Sequence, residues 1–328
     1  MKVVVTGGAG FIGANLCRML DSQDFVDHVV AFDDLSTGSR QNLSGSPSVE
    51  LREGSILNAD DLDGAIEGTQ AIVHLAARPS VPRSLADPMA THHVNATGTM
   101  MVLEAARRHG MPHIVVASSS SVYGANSALP EREDMVPLPV NPYAASKLAT
   151  EAYALSYGRS FGLPVLAFRF FNVFGPLQPA GHAYAAVVPA FVSCALAGSP
   201  LQVHGDGTQT RDFTFVDSVV AVVADAIRRR VTDTAPVNLA FGSRVSLLEL
   251  ITELEGAVGH RLHREHVEPR AGDVPQSQAD QARLCEIFPE VRPTSLADGL
   301  RATVAWFQKA HSKPRVSTGT GNLMGAHK

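Results

Sequence analysis

The sequence predicts an α/β fold, in which a doubly wound parallel sheet is joined to a smaller, discontinuous C-terminal domain. Three observations support this prediction. Short apolar runs alternate with helical patterns through the first half of the chain. The runs are apolar at consecutive positions, as strands covered by helices on both faces require. A glycine-rich turn connects the first run to the first helical pattern.

The predicted elements follow one another at a regular spacing. Gly110 and Gly162 stand where two of the helices should end, since glycine is the usual residue just past a helix. The helical patterns are "IGANLCRMLDSQ", "DDLDGAI", "GTMMVLEAARRHG" and "ASKLATEAYALSYGRSFG". The predicted strands are residues 2–7, 28–34, 49–54, 71–76, 113–119, 164–173 and 235–242.

The regular alternation ends near residue 173, where glycine and proline become frequent. We expect residues 1–173 and about 214–242 to form the sheet domain. Residues 174–213 and about 243–310 should form the second domain. Residues 311–328 carry no apolar period and are expected to be a mobile tail.

The composition excludes several classes of protein. Hydrophobic residues make up 45% of the 328 residues, enough for a sizeable core, and the net charge of −5 does not favour a nucleic acid as partner. Cys17, Cys194 and Cys285 are scattered and odd in number, so we expect neither a disulfide framework nor a metal site. The first apolar run is too short for a signal peptide or a membrane span, which predicts a cytoplasmic protein.

The first turn predicts a dinucleotide site. Gly7, Gly10 and Gly13 form G-x-x-G-x-x-G directly after a strand, where glycines let backbone N–H groups approach a pyrophosphate at a helix N-terminus. Asp33 ends the second predicted strand, 20 positions after Gly13, and Asp34 follows it. A carboxylate at that place accepts hydrogen bonds from ribose hydroxyls and repels a 2′-phosphate, so the sequence favours NAD over NADP.

A second motif suits acid–base chemistry. Tyr143 and Lys147 lie four residues apart in "NPYAASK", on one face of a helix that Asn141 can cap and Pro142 can start. A tyrosine with a pKa of about 10 needs a shift of about three units, or about 4 kcal/mol, to act as a base near neutral pH. One positive charge at about 4 Å in an effective dielectric of about 20 supplies about that much. Lys147 and an oxidised nicotinamide ring would together provide it.

The row of serines in "ASSSSVYG", residues 117–124, follows a predicted strand. Ligands bind beyond the carboxyl ends of strands in such sheets, so a serine hydroxyl here can hydrogen-bond a substrate oxygen and orient its proton. For three of the four serines, a turn residue that satisfies its own backbone is the better interpretation.

The motifs "TGGAGFIG", "HLAA", "SSSSVYG", "YAASK" and "RFFNVFGP" resemble, in this order, the extended short-chain dehydrogenase/reductase family, and within it the UDP-hexose 4-epimerases. The resemblance reaches about residue 308. It implies a Rossmann domain that binds NAD, a C-terminal domain that binds the sugar nucleotide, and a homodimer through helices near residues 92–109 and 145–161.

The catalytic residues that it implies are Ser119, Tyr143 and Lys147. The cofactor-binding residues are Gly7, Gly10, Phe11, Ile12, Gly13, Asp33, Asp34, Ser36, Thr37, Gly38, Ser55, Ile56, Leu75, Ala76, Ala77, Asn95, Tyr143 and Lys147. Ser55 departs from the family, which usually has an aspartate there to reach the adenine amino group.

The resemblance also implies a sugar-nucleotide site. Asn172, together with Arg211 and Arg270, would hold the diphosphate, since the guanidinium groups of arginine match phosphate oxygens. A small residue at Ser277, where glucose-selective members have a tyrosine, would leave room for an N-acetyl group. Arg83 would face either a carboxylate or an acetyl carbonyl. The substrate-binding residues are Ser80, Arg83, Ser119, Ser120, Tyr143, Asn172, Val187, Val188, Gln202, His204, Arg211, Arg270, Asp273 and Ser277.

The serine row also separates related chemistries. Similar sugar-nucleotide dehydratases carry Asp and Glu at the positions of Ser120 and Ser121, and neither carboxylate is present here. The sequence therefore favours an NAD-dependent 4-epimerase that acts on a UDP-hexose, UDP-GlcNAc/UDP-GalNAc or UDP-Glc/UDP-Gal, through a 4-keto sugar. A UDP-glucuronate 4-epimerase and a sugar-nucleotide dehydratase remain alternatives. A non-catalytic NAD-binding sensor is an alternative from another class.

Overall fold

The structure is a computed structural model that describes residues 1–180, 185–269 and 276–312. Its strands follow the predicted order. They are β1 (Lys2–Thr6), β2 (His28–Asp33), β3 (Glu50–Glu53), β4 (Ala71–His74), β5 (His113–Ser119), β6 (Val165–Phe170), β7 (Val173–Phe174), β8 (Leu201–His204), β9 (Thr210–Arg211), β10 (Thr214–Phe215), β11 (Val237–Leu239), β12 (Val245–Ser246) and β13 (Arg264–Val267).

The central sheet has seven parallel strands in the order β11-β6-β5-β4-β1-β2-β3. Strand β1 lies between β2 and β4, so the strand order reverses at this point and a crevice opens beyond the carboxyl ends. The predicted α/β, Rossmann-type fold class is thereby confirmed. Three pairs of short strands lie outside this sheet, namely β7 with β10, β9 with β12, and β8 with β13.

The helices are α1 (Phe11–Asp21), α2 (Ala59–Ile66), α3 (Val81–Ala86), α4 (Pro88–His92), α5 (Gly98–Arg108), α6 (Pro142–Phe161), α7 (Val187–Ala197), α8 (Val216–Arg229), α9 (Leu247–Val258), α10 (Ala282–Ile287) and α11 (Leu296–Ser312). A π-helical turn, His93–Thr97, joins α4 to α5. None of the helices in the described ranges combines the length and the apolar character that crossing a lipid bilayer takes.

The inner strands of the sheet are buried on both faces, which explains why strands such as β1 are continuous apolar runs in the sequence. Val3 and Val5 belong to a core cluster that also contains residues of α1 and α8. Val4, between them, belongs to a separate cluster that contains residues of α2, α5 and α6. Successive side chains of a strand point to opposite faces, so one strand contributes to both cores.

The sixth predicted strand, residues 164–173, is shorter in the structure. Strand β6 ends at Phe170, and Val173 and Phe174 pair instead with β10. The backbone turns because Asn172 bonds outside the sheet: its carbonyl accepts from Thr214 N at 3.2 Å, and its side chain donates to the Asp212 carbonyl at 3.2 Å. The apolar letters of "RFFNVF" do not reveal this change of partner, which brings Asn172 to the crevice.

Candidate active site

A cavity of about 440 Å³ lies at the carboxyl ends of β1, β4 and β5 and is called the cofactor cavity below. The structure brings most of the sequence-predicted residues together here. Those that line it are Gly7, Gly10, Phe11, Ile12, Gly13, Asp33, Asp34, Ser36, Thr37, Ile56, Leu75, Ala76, Ala77, Ser119, Ser120, Tyr143, Lys147 and Asn172.

Two glycines of the first turn leave no room for a side chain. Gly7 has a φ of +71°, and a Cβ on it would lie 2.8 Å from the Ala76 backbone nitrogen. A Cβ on Gly13 would lie 2.1 Å from the Gly7 carbonyl oxygen. Helix α1 begins at Phe11 without a side-chain cap, so its first N–H groups are available to an anion. These features fit the pyrophosphate of a dinucleotide.

Asp33 lines the cofactor cavity and is held by two backbone hydrogen bonds. Its Oδ2 accepts from Ala9 N at 2.9 Å and its Oδ1 accepts from Leu35 N at 2.9 Å. Burial raises the pKa of Asp33 above its ordinary value, and the two backbone hydrogen bonds work in the opposite direction. The carboxylate is thereby oriented before any ribose arrives.

Three predicted cofactor residues are not among those that line the cavity. A Cβ on Gly38 would lie 2.8 Å from Asp33 Oδ1, so this glycine allows close packing on Asp33. The Ser55 hydroxyl accepts from Leu57 N at 3.2 Å within its own turn. Asn95 is buried: its Oδ1 accepts from Arg78 N at 2.7 Å and its Nδ2 donates to Ser146 Oγ at 2.9 Å. Direct contact of these residues with a cofactor stays a prediction.

The predicted catalytic residues meet where β5 ends and α6 begins. Asn141 Oδ1 caps α6 by accepting from Ala144 N at 2.9 Å, and Pro142 opens the helix, both as predicted. Tyr143 and Lys147 follow on one face. Lys147 Nζ donates to the Ala117 carbonyl of β5 at 2.7 Å, and burial lowers the Lys147 pKa to about 8. A lysine with a pKa of about 8 still carries its positive charge in most molecules at neutral pH.

The serine row contains a contact that the sequence did not reveal. Ser119 Oγ accepts from Ser121 Oγ at 2.9 Å and from Ser121 N at 3.2 Å. A hydroxyl has two acceptor lone pairs and one proton, so Ser119 keeps only its proton for other partners. Burial raises the pKa of Tyr143 above its ordinary value, and the hydrogen bond with Ser119 acts against that rise. Ser119 therefore acts as a donor toward the Tyr143 oxygen.

A buried ion pair connects α6 to β6. Arg169 of β6 is 2% exposed and donates to both Glu151 oxygens, at 2.9 and 2.7 Å. Ser118 Oγ also donates to Glu151, at 2.9 Å. The Arg169 guanidinium lies 4.7 Å from the ring centroid of Tyr123. The sequence patterns did not predict this network. The only indication of it in the sequence is an arginine within an apolar strand.

A second cavity, of about 550 Å³, adjoins the first and is called the substrate cavity below. The predicted substrate residues that line it are Asn172, Val187, Val188, Gln202, His204 and Arg211. His204 Nδ1 lies 2.8 Å from the Glu268 carbonyl. Asn172, Val173 and Gln178 line both cavities and mark their junction. A ligand that spans both would pass these residues.

The remaining predicted substrate residues lie elsewhere. Ser80, with a φ of +96°, caps α3 by accepting from Arg83 N at 3.5 Å, and neither residue is among those that line the two cavities. Ser277 is buried and donates to Glu131 Oε2 at 3.0 Å. Arg270 and Asp273, like residues 313–328 of the predicted tail, lie outside the described residues.

Two carboxyl groups are buried near Ser277, those of Glu131 and Asp212. Glu131 holds Ser277, and Asp212 accepts from Ala279 N at 3.1 Å and from Ser243 Oγ at 2.9 Å. Burial raises the pKa of Glu131 to about 7 and that of Asp212 to about 6. These carboxyl groups tie the chain around residues 277–279 to distant parts of the sequence, and the sequence patterns did not single them out.

The glycine cradle, the oriented carboxylate and the Ser119–Tyr143–Lys147 group in one crevice define a dinucleotide-dependent α/β enzyme. The chain belongs to the NAD-dependent epimerase/dehydratase family, whose model matches residues 3–240, and this confirms the predicted family and its cofactor, NAD. The chain is 38% identical over 318 residues to the UDP-glucose 4-epimerase of Mycolicibacterium smegmatis, covering 94% of this chain and 99% of that one.

Solved structures agree in fold. The UDP-N-acetylglucosamine 4-epimerase from Methanobrevibacter ruminantium M1, in complex with UDP-N-acetylmuramic acid, is similar with a TM-score of 0.88 and 32% identity, over 94% of this chain and 98% of that one. The UDP-glucuronic acid 4-epimerase from Bacillus cereus, in complex with UDP-glucuronic acid and NAD, is similar with a TM-score of 0.84 and 31% identity, over 94% and 100%. Relatives thus differ in the sugar that their names carry, while the fold is shared.

Proposed function

We propose that the protein is a 4-epimerase of a UDP-hexose, either UDP-GlcNAc/UDP-GalNAc or UDP-Glc/UDP-Gal. The observation that carries the proposal is the position of Tyr143, which lines the cofactor cavity together with Ser119 and Lys147, in a cavity that shares Asn172 with a second one of about 550 Å³. An acid–base group at a boundary between a cofactor and a substrate is what a reversible oxidation requires.

NAD, when bound, supplies the acceptor and the donor of the hydride at sugar C4. Tyr143 takes the proton of the C4 hydroxyl and later returns it to the C4 oxygen of the epimer. Ser119 donates its remaining proton to the Tyr143 oxygen or to the sugar oxygen, because Ser121 fills both of its lone pairs. Lys147 adds a positive charge that favours the phenolate form of Tyr143.

Inversion at C4 requires the 4-keto sugar to present its opposite face to the same cofactor. Asn172 and Arg211, which line the substrate cavity, would hold the diphosphate while the hexose turns. Tight binding of the nucleotide and loose binding of the sugar therefore belong together. The predicted ligands Arg270 and Asp273 would complete the nucleotide site.

The alternatives differ in the groups they need. A dehydratase needs an acid–base pair for elimination of water, and at the end of β5 the chain has Ser120 and Ser121 instead of carboxyl groups. A UDP-glucuronate 4-epimerase needs a partner for the sugar carboxylate, and Arg83 was predicted for that role. Arg83 is not among the residues that line either cavity.

The test is a substrate panel of UDP-N-acetylglucosamine, UDP-glucose and UDP-glucuronate, with the products resolved by anion-exchange chromatography. We expect UDP-N-acetylglucosamine to be converted to its C4 epimer at least as well as UDP-glucose. Turnover of UDP-glucuronate alone would contradict the proposed substrate class. A product that has lost water would identify a dehydratase, and NAD binding without any turnover would favour a sensor.

A homodimer belongs to the same proposal. Tyr153 and Phe161 of α6 are 38% and 49% exposed, and Met100 of α5 is 37% exposed. These apolar side chains lie on the helices from which the sequence predicted a dimer. Light scattering should give the mass of two chains, and Phe161→Glu should reduce it toward one.

A further inference from the structure

We propose that Glu131 is a positioning residue of the nucleotide site and takes up a proton when the diphosphate of the sugar nucleotide binds at Arg211. This proposal rests on the proposed function, because it assumes a nucleotide diphosphate in the substrate cavity. Glu131 is not among the residues that line either cavity, so it acts through the segment that it holds, residues 277–280.

Residues 277–280 are held by both the side chain and the backbone of Glu131. Glu131 is 7% exposed, and its Oε2 accepts from Ser277 Oγ at 3.0 Å. Its backbone N donates to the Gln278 carbonyl at 2.7 Å, and its carbonyl accepts from Asp280 N at 2.9 Å. The place of this segment therefore depends on the carboxyl group as well as on the backbone.

The same segment is also bonded to strand β9 and to the residue that follows it. Ser277 N donates to the Thr210 carbonyl at 3.1 Å, and Ala279 N donates to Asp212 Oδ2 at 3.1 Å. Thr210 and Asp212 are the chain neighbours of Arg211, which lines the substrate cavity. The segment thus connects a buried carboxyl group to the arginine that is proposed to hold the diphosphate.

The charge of Glu131 is balanced by the groups around it. Burial raises the pKa of Glu131 to about 7, and the negative charge of Asp212 acts in the same direction. The hydrogen bond from Ser277 and the positive charges of Arg211 and Arg169 oppose this rise. Glu131 is therefore divided between its charged and its neutral form near neutral pH, and the charge of Arg211 contributes to that division.

Three further titratable groups of this region have partners of their own. Asp280 Oδ1 accepts from Ala282 N at 2.8 Å. Glu133 Oε1 accepts from Asn238 N at 2.8 Å, and Tyr123 Oη donates to Asn238 Oδ1 at 2.6 Å. These groups hold the backbone and the amide beside the buried carboxyl group.

Binding of a diphosphate changes the charge balance at Glu131. Negative charges beside Arg211 cancel the positive charge that favours the carboxylate, so the pKa of Glu131 rises and a proton is taken up. Linkage then requires the nucleotide to bind most tightly where Glu131 is already protonated, below its pKa of about 7 in the free protein. The affinity falls as the pH rises from that value to the higher pKa in the complex, and it is constant above that.

Isothermal titration calorimetry of the NAD-loaded protein with UDP-N-acetylglucosamine tests the proposal. The diphosphate of this probe is esterified at both ends, so it lacks the second ionisation that a phosphate monoester has at about pH 6. A rise of about one unit in the pKa of Glu131 predicts that the affinity falls about 5- to 10-fold between about pH 6 and 8.5. It also predicts uptake of about 0.5 proton per nucleotide at about pH 7.5, measured as the slope of the binding enthalpy against the ionisation enthalpy of the buffer.

Glu131→Gln fixes the neutral state, because its amide does not ionise and still offers an oxygen to Ser277. We expect this variant to lose most of the proton uptake and most of the pH dependence of the affinity. Glu131→Ala, which loses the hydrogen bond to Ser277, should bind the nucleotide more weakly at every pH. Glu253→Gln, at an exposed position of α9, is the matched control and should behave as the wild type.

The proposal is overturned if the wild type takes up no proton, a measurement that needs no variant to fold. It is also overturned if Glu131→Gln takes up as much as the wild type does. Affinity for NAD separates positioning of the nucleotide site from a general loosening of the fold, and equal weakening of NAD and of the nucleotide in Glu131→Ala would contradict the proposal. Each of these results leaves the epimerase proposal standing, which the substrate panel tests separately.

Discussion

The cofactor cavity and the substrate cavity are built in different ways. The cofactor cavity is shaped by backbone: Gly7 and Gly13 leave no room for a Cβ, and helix α1 presents free N–H groups. The substrate cavity is shaped by side chains from separate parts of the chain, such as Asn172, Gln202 and Arg211. A backbone site is recognisable from glycine spacing, whereas a side-chain site depends on how distant segments pack.

Tyr143 lines the cofactor cavity and is the proposed acid–base group, so its replacement should have the largest effect. Tyr143→Phe removes the proton acceptor and keeps the ring, and kcat should fall by about 10²- to 10⁴-fold. Binding of NAD, measured by calorimetry, should change little. Tyr153→Phe, on the same helix but outside both cavities, is the control, since it keeps the apolar ring at the proposed dimer face and should keep wild-type turnover. Wild-type rates in Tyr143→Phe would remove this residue from the mechanism.

One added carbon atom tests whether the backbone of the glycine loop shapes the cofactor cavity. The Cβ of Gly13→Ala would lie 2.1 Å from the Gly7 carbonyl oxygen, so the loop must move away from the pyrophosphate. We expect NAD affinity to fall on the order of 10³-fold, because neither backbone segment can yield without losing its place in the site.

Gly256→Ala is the matched control for Gly13→Ala. Gly256 lies in α9, and a Cβ there would have none of the described residues within 4 Å. This variant should keep its NAD affinity and gain about 0.5 to 1 kcal/mol of stability, because alanine favours the helix. Equal NAD affinity for both variants would mean that the glycine spacing does not define the cofactor site.

The contrast between the regions also explains what the sequence could predict. Inner strands of the central sheet, such as β1 and β5, were found because burial on both faces leaves a continuous apolar run. The end of β6 at Phe170 was missed because the run continues while the backbone changes partner. Glu131 and Ser277 are separated by 146 positions, and only packing brings them to 3.0 Å. Ser121 was interpreted as a turn residue because local spacing does not reveal which hydroxyl donates.

The substrate side should be sensitive to pH through its buried carboxyl groups. Burial raises the pKa of Glu131 to about 7 and that of Asp212 to about 6, both above the values in an unfolded chain. The folded state therefore holds protons that the unfolded state releases. The free energy of unfolding is highest below about pH 4 for these groups and falls as the pH rises to about 7.

In Glu131→Gln, the fall in the free energy of unfolding between about pH 4.5 and 7.5 should be smaller by about 2 kcal/mol. The reason is that the amide remains neutral and still offers an oxygen to Ser277. Urea unfolding at several pH values between about 4.5 and 7.5 measures the slope. Glu253→Gln, on an exposed position of α9, is the control and should keep the wild-type slope. The same slope in Glu131→Gln and the wild type would show that Glu131 does not titrate in this window.

The smallest effect is expected within the serine row, where Ser119 lines the cofactor cavity. Ser121→Ala keeps the backbone N–H that donates to Ser119 at 3.2 Å and removes the hydroxyl that donates at 2.9 Å. One lone pair of Ser119 then lacks a donor, so Ser119 can turn its proton away from Tyr143. The phenolate loses part of its stabilisation, and the pKa of Tyr143 rises.

We expect kcat of Ser121→Ala to fall by about 3- to 10-fold near neutral pH and the acid limb of the pH profile of kcat to move to higher pH. Ser121→Thr keeps a hydroxyl and should restore the profile, and Ser156→Ala on the exposed side of α6 should leave it unchanged. An unshifted acid limb in Ser121→Ala, with an unchanged unfolding temperature, would reduce Ser121 to a residue of the turn.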